Sequence, residues 1–387
     1  MVKKIALIGS TGSIGVQTLN VVRRYPDKFK IVSLAAGNNL GLLAKQVREF
    51  RPETVTVASA TGENADDLFS AIKEIKNGAE LFVGENAFTN AITENADLVV
   101  ISLVGFTGIR AVLDAIEKGK NIALANKESL VVGGDLVTKK AKEKGVTIVP
   151  IDSEHSAIWQ ALSFDFNKPF ARIILTASGG AFRDKTAEEL KTVTAADALK
   201  HPNWTMGAKI TVDCATLVNK AFEVIEAKWL YSAEFDKIDV IIHRESVIHS
   251  LVEYKDGSVI AQMSYPTMEL PIQIAIGYPE RLSSAVKSLN FAEIGKLTFE
   301  DLDEKRFPCF REVVNAAKKG GCYPAVVNGA NDAAVAAFLK DRIKFGDIYA
   351  AISGAADAFR GEYCGDFESI AVANEFAVRY VKEKFKV

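Results

Sequence analysis

The first 150 residues alternate short apolar runs with amphipathic stretches, and this alternation is the strongest constraint on the fold. The apolar runs predict strands at 4–8, 30–35, 54–58, 98–101, 121–124 and 147–151, and the amphipathic stretches predict helices at 15–24, 42–50, 66–76, 109–118 and 135–143. Strands that alternate with helices of this length form parallel sheets covered on both faces. We therefore expect a doubly wound, Rossmann-like α/β domain over residues 1–150.

The pattern changes after residue 150. Strand-like runs at 172–177, 240–242, 250–253 and 259–263, with Asp256-Gly257 as a hairpin turn, predict a central α+β catalytic domain over 151–282. Weak periodicity predicts a linker over 283–306. Helical patterns at 311–319, 328–340, 345–359 and 369–384 predict a C-terminal helical bundle over 307–387.

Charge and composition exclude several classes of function. The formal net charge is −2 over 387 residues, so no basic surface is expected to bind nucleic acid. The apolar runs fall short of the ~18 residues of a membrane span, and the first of them is too short for a signal peptide. The cysteines are scattered without a CxxC pair, which predicts reduced thiols in a cytoplasm: Cys214, Cys309, Cys322 and Cys364.

A glycine-rich turn, Gly9–Gly15, follows the first predicted strand and opens the first predicted helix. Its glycines would let the backbone approach a dinucleotide pyrophosphate, which the N–H groups at the helix start would bind. The spacing GxxGxxG is a variant of the dinucleotide-binding fingerprint. The alternative is a glycine-rich turn with no ligand.

The second predicted strand ends in Ala36-Gly37-Asn38-Asn39, without the acidic residue that binds the ribose of NAD. A carboxylate at this place would repel a 2′-phosphate, so its absence favours NADPH. No Lys or Arg stands beside it to attract that phosphate.

Two carboxylates, Asp152 and Glu154, follow the end of the predicted strand at 147–151. Residues two apart in an extended chain point the same way, so the pair would suit a hard cation such as Mg²⁺ or Mn²⁺. A solvated strand end is the alternative interpretation.

A third carboxylate, Glu223, lies one helical turn after Asn219 and Lys220 if this stretch is a helix. Asn219 and Lys220 could then hold a substrate phosphate while Glu223 completes the metal shell. An exposed helical face with an ordinary Lys–Glu pair explains the pattern equally.

Two further segments have alternative interpretations. Ser178-Gly179-Gly180 is either an anion-binding turn or a plain one. The segment His201–Gly207 is either a flap whose Trp204 covers a ligand or a buried loop anchor. His243 and His249 do not have zinc-ligand spacing.

Seven segments occur together in the order typical of one family: GSTGSIG, ALANKESLV, IDSEHSAIWQ, SGGAF, HPNWTMG, VDCATLVNKAFEVIEA and ESVIHS. From Gly9 to the C-terminal helices the chain resembles the 1-deoxy-D-xylulose 5-phosphate reductoisomerases. This resemblance implies roles for individual residues. It implies NADPH contacts at Thr11, Gly12, Ser13, Ile14, Gly37, Asn38, Asn39, Asn126, Glu128 and Gly207. It implies metal ligands at Asp152, Glu154 and Glu223, and a substrate site at Lys127, Ser153, Glu154, Ser178, His201, Cys214, Asn219, Lys220 and Glu223. Lys127 and the three metal ligands are the expected catalytic residues.

The resemblance also implies an activity: rearrangement and NADPH-dependent reduction of 1-deoxy-D-xylulose 5-phosphate to 2-C-methyl-D-erythritol 4-phosphate, in non-mevalonate isoprenoid precursor biosynthesis. A Mn²⁺ or Mg²⁺ ion, a flap near 198–208, a cytoplasmic location and a homodimer are implied with it. The chain departs from the family pattern at two positions. Cys214 stands where serine is common at the phosphate site, and Asn38 stands where a basic residue is frequent.

Two other functions compete with this one. A semialdehyde-type dehydrogenase would use Cys214 as its nucleophile, need a base beside the thiol and need no metal. A non-catalytic dinucleotide sensor would bind NADPH without requiring Asp152.

Overall fold

The structure is a computed structural model that describes residues 2–76, 78–204, 206–283, 286–361 and 364–387, without the side chains of Glu85 and Asn86. It contains two compact units, each assembled from separate stretches of the chain. The first unit comprises Met1–Asn126, Val137–Asp152 and Met268–Ala285, and the second comprises Lys127–Leu136, Ser153–Thr267 and Val286–Val387.

The first unit is built on a parallel sheet. The elements up to residue 150, in chain order, are β1 (Lys3–Ile8), α1 (Ser13–Arg24), β2 (Phe29–Ala36), α2 (Leu40–Phe50), β3 (Thr54–Val57), α3 (Ala65–Lys73), β4 (Glu80–Val83), β5 (Leu98–Ile101), α4 (Gly108–Glu117), β6 (Asn121–Leu124), α5 (Glu128–Lys144) and β7 (Ile148–Pro150). Of α5, only the part from Val137 onward belongs to the first unit; the part up to Leu136 belongs to the second. The strand order is β4-β3-β2-β1-β5-β6-β7, and every pairing is parallel. The prediction of a Rossmann-like parallel sheet is confirmed. The edge strand β4 was not predicted, because it is only four residues long and none of them is buried.

The strand order reverses at β1. The chain first adds β2, β3 and β4 on one side of β1, and then adds β5, β6 and β7 on the other. In open parallel sheets, ligands bind beyond the carboxyl ends of the strands at such a reversal. The glycine-rich turn after β1 lies at this position.

The second unit combines a mixed sheet with helices. The remaining elements in chain order are α6 (Ser153–Ala161), β8 (Arg172–Ala177), α7 (Ala195–Ala198), α8 (Ala208–Thr216), α9 (Val218–Tyr231), β9 (Ile238–Ile242), β10 (Ile248–Glu253), β11 (Val259–Met263), α10 (Glu269–Gly277), α11 (Phe291–Ile294), β12 (Glu300–Asp301), α12 (Pro308–Lys319), α13 (Tyr323–Phe338), α14 (Phe345–Ala358) and α15 (Phe367–Phe385). The sheet order is β11-β10-β8-β9-β12. Among the described strands of this second sheet, only the β8–β9 pair is parallel. The predicted hairpin joins β10 to β11, with Gly257 at φ 83°.

Two segments differ from the sequence interpretation. Part of the predicted linker is structured, because β12 pairs with β9 and α11 precedes it; Ser284 and Ala285 lie outside the described residues. Helix α10 belongs to the first unit, where Arg24 of α1 pairs with Glu269 at 2.7 Å. The division at residues 150, 282 and 306 stays a prediction.

The four predicted C-terminal helices correspond to α12–α15. Gly329 of α13 lies so close to α15 that an added Cβ would be 2.4 Å from the carbonyl oxygen of Asn374. Within the described residues, no helix is both long and apolar enough to cross a lipid bilayer.

The prediction of four reduced thiols is wrong for two of them, because Cys322 and Cys364 form a disulfide. The two cysteines are 42 residues apart, so no local spacing revealed the pair. Helices α13 and α15 begin just after Cys322 and Cys364 respectively and pack on each other, which brings the two thiols together.

Candidate active site

The glycines of the first turn fall into two groups. Gly9 has φ +92°, and an added Cβ would lie 2.7 Å from the Ser102 carbonyl oxygen; a Cβ on Gly15 would lie 2.2 Å from the Gly9 carbonyl oxygen. These two glycines are required by packing within the protein. A Cβ on Gly12 would lie 3.4 Å from the Gly9 oxygen, an ordinary contact. Packing therefore does not require glycine at position 12, where the backbone can instead serve a ligand.

The N-terminus of α1 suits an anion. Gly12 is its N-cap and supplies no side-chain cap, and no acidic residue lies in its first turn. Thr11, Ser13 and Ile14, three of the predicted NADPH contacts, lie in this turn and at the helix start. The N–H groups of a first helical turn lack partners within the helix, so they are available to phosphate oxygens.

The end of β2 offers a second polar surface. The Asn39 side chain accepts a hydrogen bond of 3.2 Å from the Leu42 amide and so caps α2, while Asn38 is exposed. No protein atom lies within 4 Å of a Cβ added to Gly37, so this glycine also borders open space. An adenosine ribose could approach here without meeting a carboxylate.

Asn126 is almost fully buried, at 1% exposure, beyond the end of β6. Its Nδ2 atom donates to the carbonyl oxygens of Leu103 at 3.1 Å and of Gly105 at 2.9 Å. These bonds fix the loop that follows β5. The predicted contact of Asn126 with NADPH stays a prediction.

The carboxylates after β7 do not lie in extended chain, so that part of the sequence interpretation is wrong. The strand ends at Pro150, and α6 begins at Ser153, which places Glu154 in the first helical turn. Asp152 immediately precedes Ser153, the first residue of this helix. One oxygen from each of Asp152, Glu154 and Glu223 lies within 4.8 Å of the others. The three carboxylates converge as predicted. The start of α6, rather than an extended strand end, brings Glu154 beside Asp152.

Helix α9 supplies the cations and amides around Glu223. The Lys220 Nζ atom is 3.0 Å from Glu154 Oε1 and also contacts Glu223 Oε2. Asn219 Nδ2 donates to Glu223 Oε1 at 2.6 Å. The exposed-face alternative fails, because the Lys220 and Glu223 side chains are only 5% and 1% exposed.

Lys127 brings a second ammonium group to Glu223, at 3.4 Å from Oε1. Burial alone would lower the pKa of Lys220, but the charges of Glu154 and Glu223 raise it well above its ordinary value. In their ordinary charged forms, the three carboxylates with Lys127 and Lys220 leave one net negative charge. A divalent cation would reverse that sign and prepare the site for an anionic substrate.

The phosphate-binding candidates Ser178 and His201 lie side by side. Ser178 Oγ is 3.0 Å from His201 Nε2, and His201 Nδ1 accepts from the amides of Asn203 at 3.2 Å and Trp204 at 3.0 Å. Since Nδ1 is an acceptor, the proton of the neutral ring lies on Nε2 and is donated to Ser178. Burial, with a smaller effect of the Arg183 charge, lowers the pKa of His201 to about 4.

Cys214 lies on α8 beside the turn at Gly180, where an added Cβ would be 2.3 Å from the Cys214 carbonyl oxygen. Burial raises the pKa of the Cys214 thiol far above its ordinary value, and the charge of Lys127 only partly opposes this. A thiol with a raised pKa is a poor nucleophile at neutral pH. This argues against the semialdehyde-type mechanism.

The predicted flap connects α7 to α8, and Thr205 within it lies outside the described residues. Asn203 was not singled out from the sequence, yet its Nδ2 donates at 2.7 Å to both the Arg244 carbonyl oxygen and Ser246 Oγ. Trp204 meets the ring of His249 edge-on, with centroids 6.2 Å apart. An Asn beside Trp gives no spacing signal, so only the fold reveals this anchor.

The remaining predicted site residues have the following partners and positions. Ser153 Oγ donates to Glu154 Oε2 at 2.5 Å. Glu128 begins α5 and pairs with Lys209, and Gly207 is the N-cap of α8. His243 Nε2 accepts from the amides of Val247 and Ile248 and so has a structural role.

Sequence comparison places the chain in one family along most of its length. Residues 5–134 match the family model for 1-deoxy-D-xylulose 5-phosphate reductoisomerase, residues 148–231 match its C-terminal domain, and residues 263–380 match the DXP reductoisomerase C-terminal domain. The chain is 48% identical to 1-deoxy-D-xylulose 5-phosphate reductoisomerase 1 of Bacillus thuringiensis subsp. konkukian, covering 99% of this chain and 98% of that protein. It is 45% identical to the reductoisomerase of Gloeobacter violaceus, covering 98% and 97%.

Solved structures agree. The Zymomonas mobilis reductoisomerase in complex with NADPH aligns over 100% of both chains with a TM-score of 0.92 and 35% identity. DOX-P reductoisomerase in complex with NADPH, fosmidomycin and magnesium aligns over 100% of this chain and 98% of that one, with a TM-score of 0.93 and 36% identity. The chain therefore belongs to the 1-deoxy-D-xylulose 5-phosphate reductoisomerase family.

Proposed function

We propose that this protein converts 1-deoxy-D-xylulose 5-phosphate to 2-C-methyl-D-erythritol 4-phosphate, with NADPH as reductant and a divalent cation as Lewis acid. The observation that carries the proposal is the buried cluster in which Lys220 contacts both Glu154 and Glu223. Family membership supports the reaction, and solved relatives contain NADPH and magnesium.

A divalent cation fits the carboxylates. Asp152, Glu154 and Glu223 offer oxygens within 4.8 Å of one another, and oxygen ligands suit Mg²⁺ and Mn²⁺. When bound, the cation supplies polarisation of the substrate carbonyl and stabilisation of negative charge on oxygen. Magnesium is bound by relatives; use of manganese is part of our proposal.

NADPH fits the first unit, where it supplies the hydride. The uncapped start of α1 would hold the pyrophosphate, with its amides as donors. The acid-free segment Gly37–Asn39 would receive the 2′-phosphate. Asn126 acts by holding the loop after β5.

The phosphate of the substrate would lie near the start of α9. Asn219 and Lys220 occupy the first turn of this helix, whose N-cap Leu217 provides no side-chain cap. The Ser178 hydroxyl, which accepts from His201 Nε2–H, adds a further donor. Cys214, a weaker donor than serine, contributes less to this group.

Lys127 contacts Oε1 of Glu223, whereas Lys220 contacts Oε2. The Lys127 ammonium group, 3.4 Å from Glu223 Oε1, would stabilise charge on the reacting oxygens as the carbon skeleton rearranges by a retro-aldol/aldol route. The flap at His201–Gly207 would exclude water and orient the substrate through its phosphate. The flap would thereby use binding energy that is remote from the reacting carbons.

The test is NADPH oxidation followed by absorbance with 1-deoxy-D-xylulose 5-phosphate, with Mg²⁺, with Mn²⁺ and after chelation. We expect turnover that requires both metal and NADPH, and that Asp152→Asn abolishes. Turnover that survives chelation would contradict the metal role and direct attention to Cys214. NADPH binding without turnover under every metal condition would favour the sensor function.

We also propose a homodimer and a cytoplasmic location. Edge strand β11 exposes Val259 at 48% and Ile260 at 46%, an unusual exposure for apolar strand residues that a second copy would cover. Light scattering should give twice the mass of the 41.9 kDa chain, and Ile260→Lys should reduce it to the monomer. Fractionation of cells, followed by activity measurement, tests the location.

A further inference from the structure

A half-buried ion cluster joins three parts of the second unit around Lys209. The Lys209 Nζ atom lies 2.9 Å from Glu128 Oε1, 2.9 Å from Asp213 Oδ2 and 3.1 Å from Asp332 Oδ1. The Glu128 and Asp213 side chains are 8% and 3% exposed. One ammonium group therefore serves three carboxylates, although Lys209 and Asp332 are themselves 22% and 28% exposed.

The three partners come from distant parts of the sequence. Glu128 begins α5, Asp213 lies one turn after Lys209 on α8, and Asp332 lies on α13 among the C-terminal helices. Asn331 strengthens the link to α13, because its Nδ2 donates to Asp213 Oδ1 at 2.8 Å. Lys209 is thus the point at which α5, α8 and α13 meet.

Lys209 also stands beside two expected cofactor contacts. Glu128 is its direct partner, and Gly207, the N-cap of α8, precedes it by two residues. Burial alone would raise the pKa of Glu128, but the Lys209 charge and hydrogen bond bring it below its ordinary value. Lys209 therefore keeps Glu128 charged and fixes the direction in which its carboxylate points.

We propose that Lys209 is a positioning residue for NADPH: it holds Glu128 in the orientation that the cofactor requires and ties it to the helix that begins at the end of the flap. This inference rests on the proposed function, since it takes Glu128 and Gly207 as cofactor contacts. In this proposal Lys209 acts without a contact of its own to substrate or cofactor. Its effect reaches the cofactor through Glu128.

A double-mutant cycle on the full-length protein tests the proposal. The dissociation constant of NADPH is measured by fluorescence for the wild type, Lys209→Met, Glu128→Gln and the double variant, with melting temperature as a record of folding. We expect Lys209→Met to weaken NADPH binding about tenfold, but by less than twofold when Glu128 is already Gln. Lys191→Met, which removes an exposed lysine paired with Glu188, is the control and should leave binding unchanged.

A purely structural role predicts another result. Lys209→Met would then lower the melting temperature and leave NADPH affinity unchanged, or would weaken binding equally in both backgrounds; either outcome overturns the proposal. If Lys209→Met does not fold, Lys209→Arg carries the test, because it keeps the charge but displaces the atoms that hold Glu128. We expect Lys209→Arg to weaken NADPH binding at least threefold when Glu128 is present and to leave it unchanged when Glu128 is Gln. An unchanged affinity in the presence of Glu128 overturns the inference.

The wild-type measurement separates this inference from the proposed function. If the wild type binds no NADPH, the proposed function fails and the inference fails with it. If the wild type binds NADPH and turns over substrate while the cycle is additive, the function stands and only the role of Lys209 is wrong.

Discussion

The Nζ atom of Lys220 lies 3.0 Å from Oε1 of Glu154 and also contacts Glu223, three residues further along the same helix. This ammonium group offsets the repulsion between two carboxylates that are expected to bind a cation. It also lies where an anionic substrate is expected. Its removal should therefore have opposite effects on the two ligands.

Replacing Lys220 with Met makes the cluster more negative. We expect magnesium to bind more tightly, while kcat/KM for the sugar phosphate falls about 100-fold or more, because a buried charged partner is lost. Calorimetric titration with Mg²⁺ and steady-state kinetics measure the two effects. Weaker magnesium binding in this variant would contradict the electrostatic account, and Lys228→Met, on the same helix but more exposed, is the matched control.

Gly12 and Gly15 provide a second comparison, between a ligand requirement and a packing requirement. Gly15→Ala places a Cβ 2.2 Å from the Gly9 carbonyl oxygen and should destabilise the fold. In Gly12→Ala the distance from the Cβ to the same oxygen is 3.4 Å, so this variant should fold normally. Gly12→Ala should nevertheless bind NADPH about tenfold more weakly, because the methyl group meets the phosphates. Thermal unfolding and fluorescence titration distinguish the two, and equal melting temperatures would contradict the prediction.

Asn38 should control the choice between NADPH and NADH. Arg at this exposed position would pair with the 2′-phosphate, so Asn38→Arg should raise the ratio of kcat/KM for NADPH over NADH about tenfold. Asn38→Asp should lower the same ratio through repulsion. If both variants change the ratio in the same direction, the 2′-phosphate does not lie at this end of β2.

His201 should remain neutral throughout the ordinary pH range of catalysis. Burial lowers its pKa from 6.5 to about 4, so the folded protein binds this proton less well than the unfolded chain does. The resulting stabilisation is complete above pH 6.5 and is lost as the pH falls toward 4. Protonation would place a proton on Nδ1, against the amides of Asn203 and Trp204.

Nitrogen-15 NMR of the histidine side chains measures both the tautomer and the titration. We expect the Nε2–H form of His201 at pH 7 and a ring that is still mainly neutral at pH 5. A midpoint near the ordinary value of 6.5 would show that the ring is not held as the structure indicates.

Local patterns predicted the first sheet well, because buried parallel strands such as 98–101 are almost entirely apolar. They also predicted that Asn219 and Lys220 lie one helical turn from Glu223, which the distances confirm. The helical start at Ser153 was missed, since a strand end followed by polar residues gives no clear helix signal.

Contacts between residues far apart in the chain could not be predicted from the sequence. The Lys209–Asp332 pair spans 123 positions, and the local pairing of Lys209 with Asp213 on α8 does not indicate it. The Cys322–Cys364 disulfide was missed for the same reason. Charge pairing and thiol pairing depend on which helices pack together, and helical periodicity indicates only which face of each helix is apolar.

The first unit takes in Met268–Ala285, a segment separated from the rest of that unit by the whole stretch Ser153–Thr267. A ribosome releases the chain from its amino end, so the dinucleotide-binding fold lacks α10 until most of the second unit has already emerged. Until then α1 lacks its contacts with α10. Lys3 of β1 also lacks two acceptors, the carbonyl oxygens of Ile276 and Tyr278, to which its Nζ atom donates at 2.8 Å in the folded protein. Completion of the amino-terminal fold is thus timed by the synthesis of its last segment.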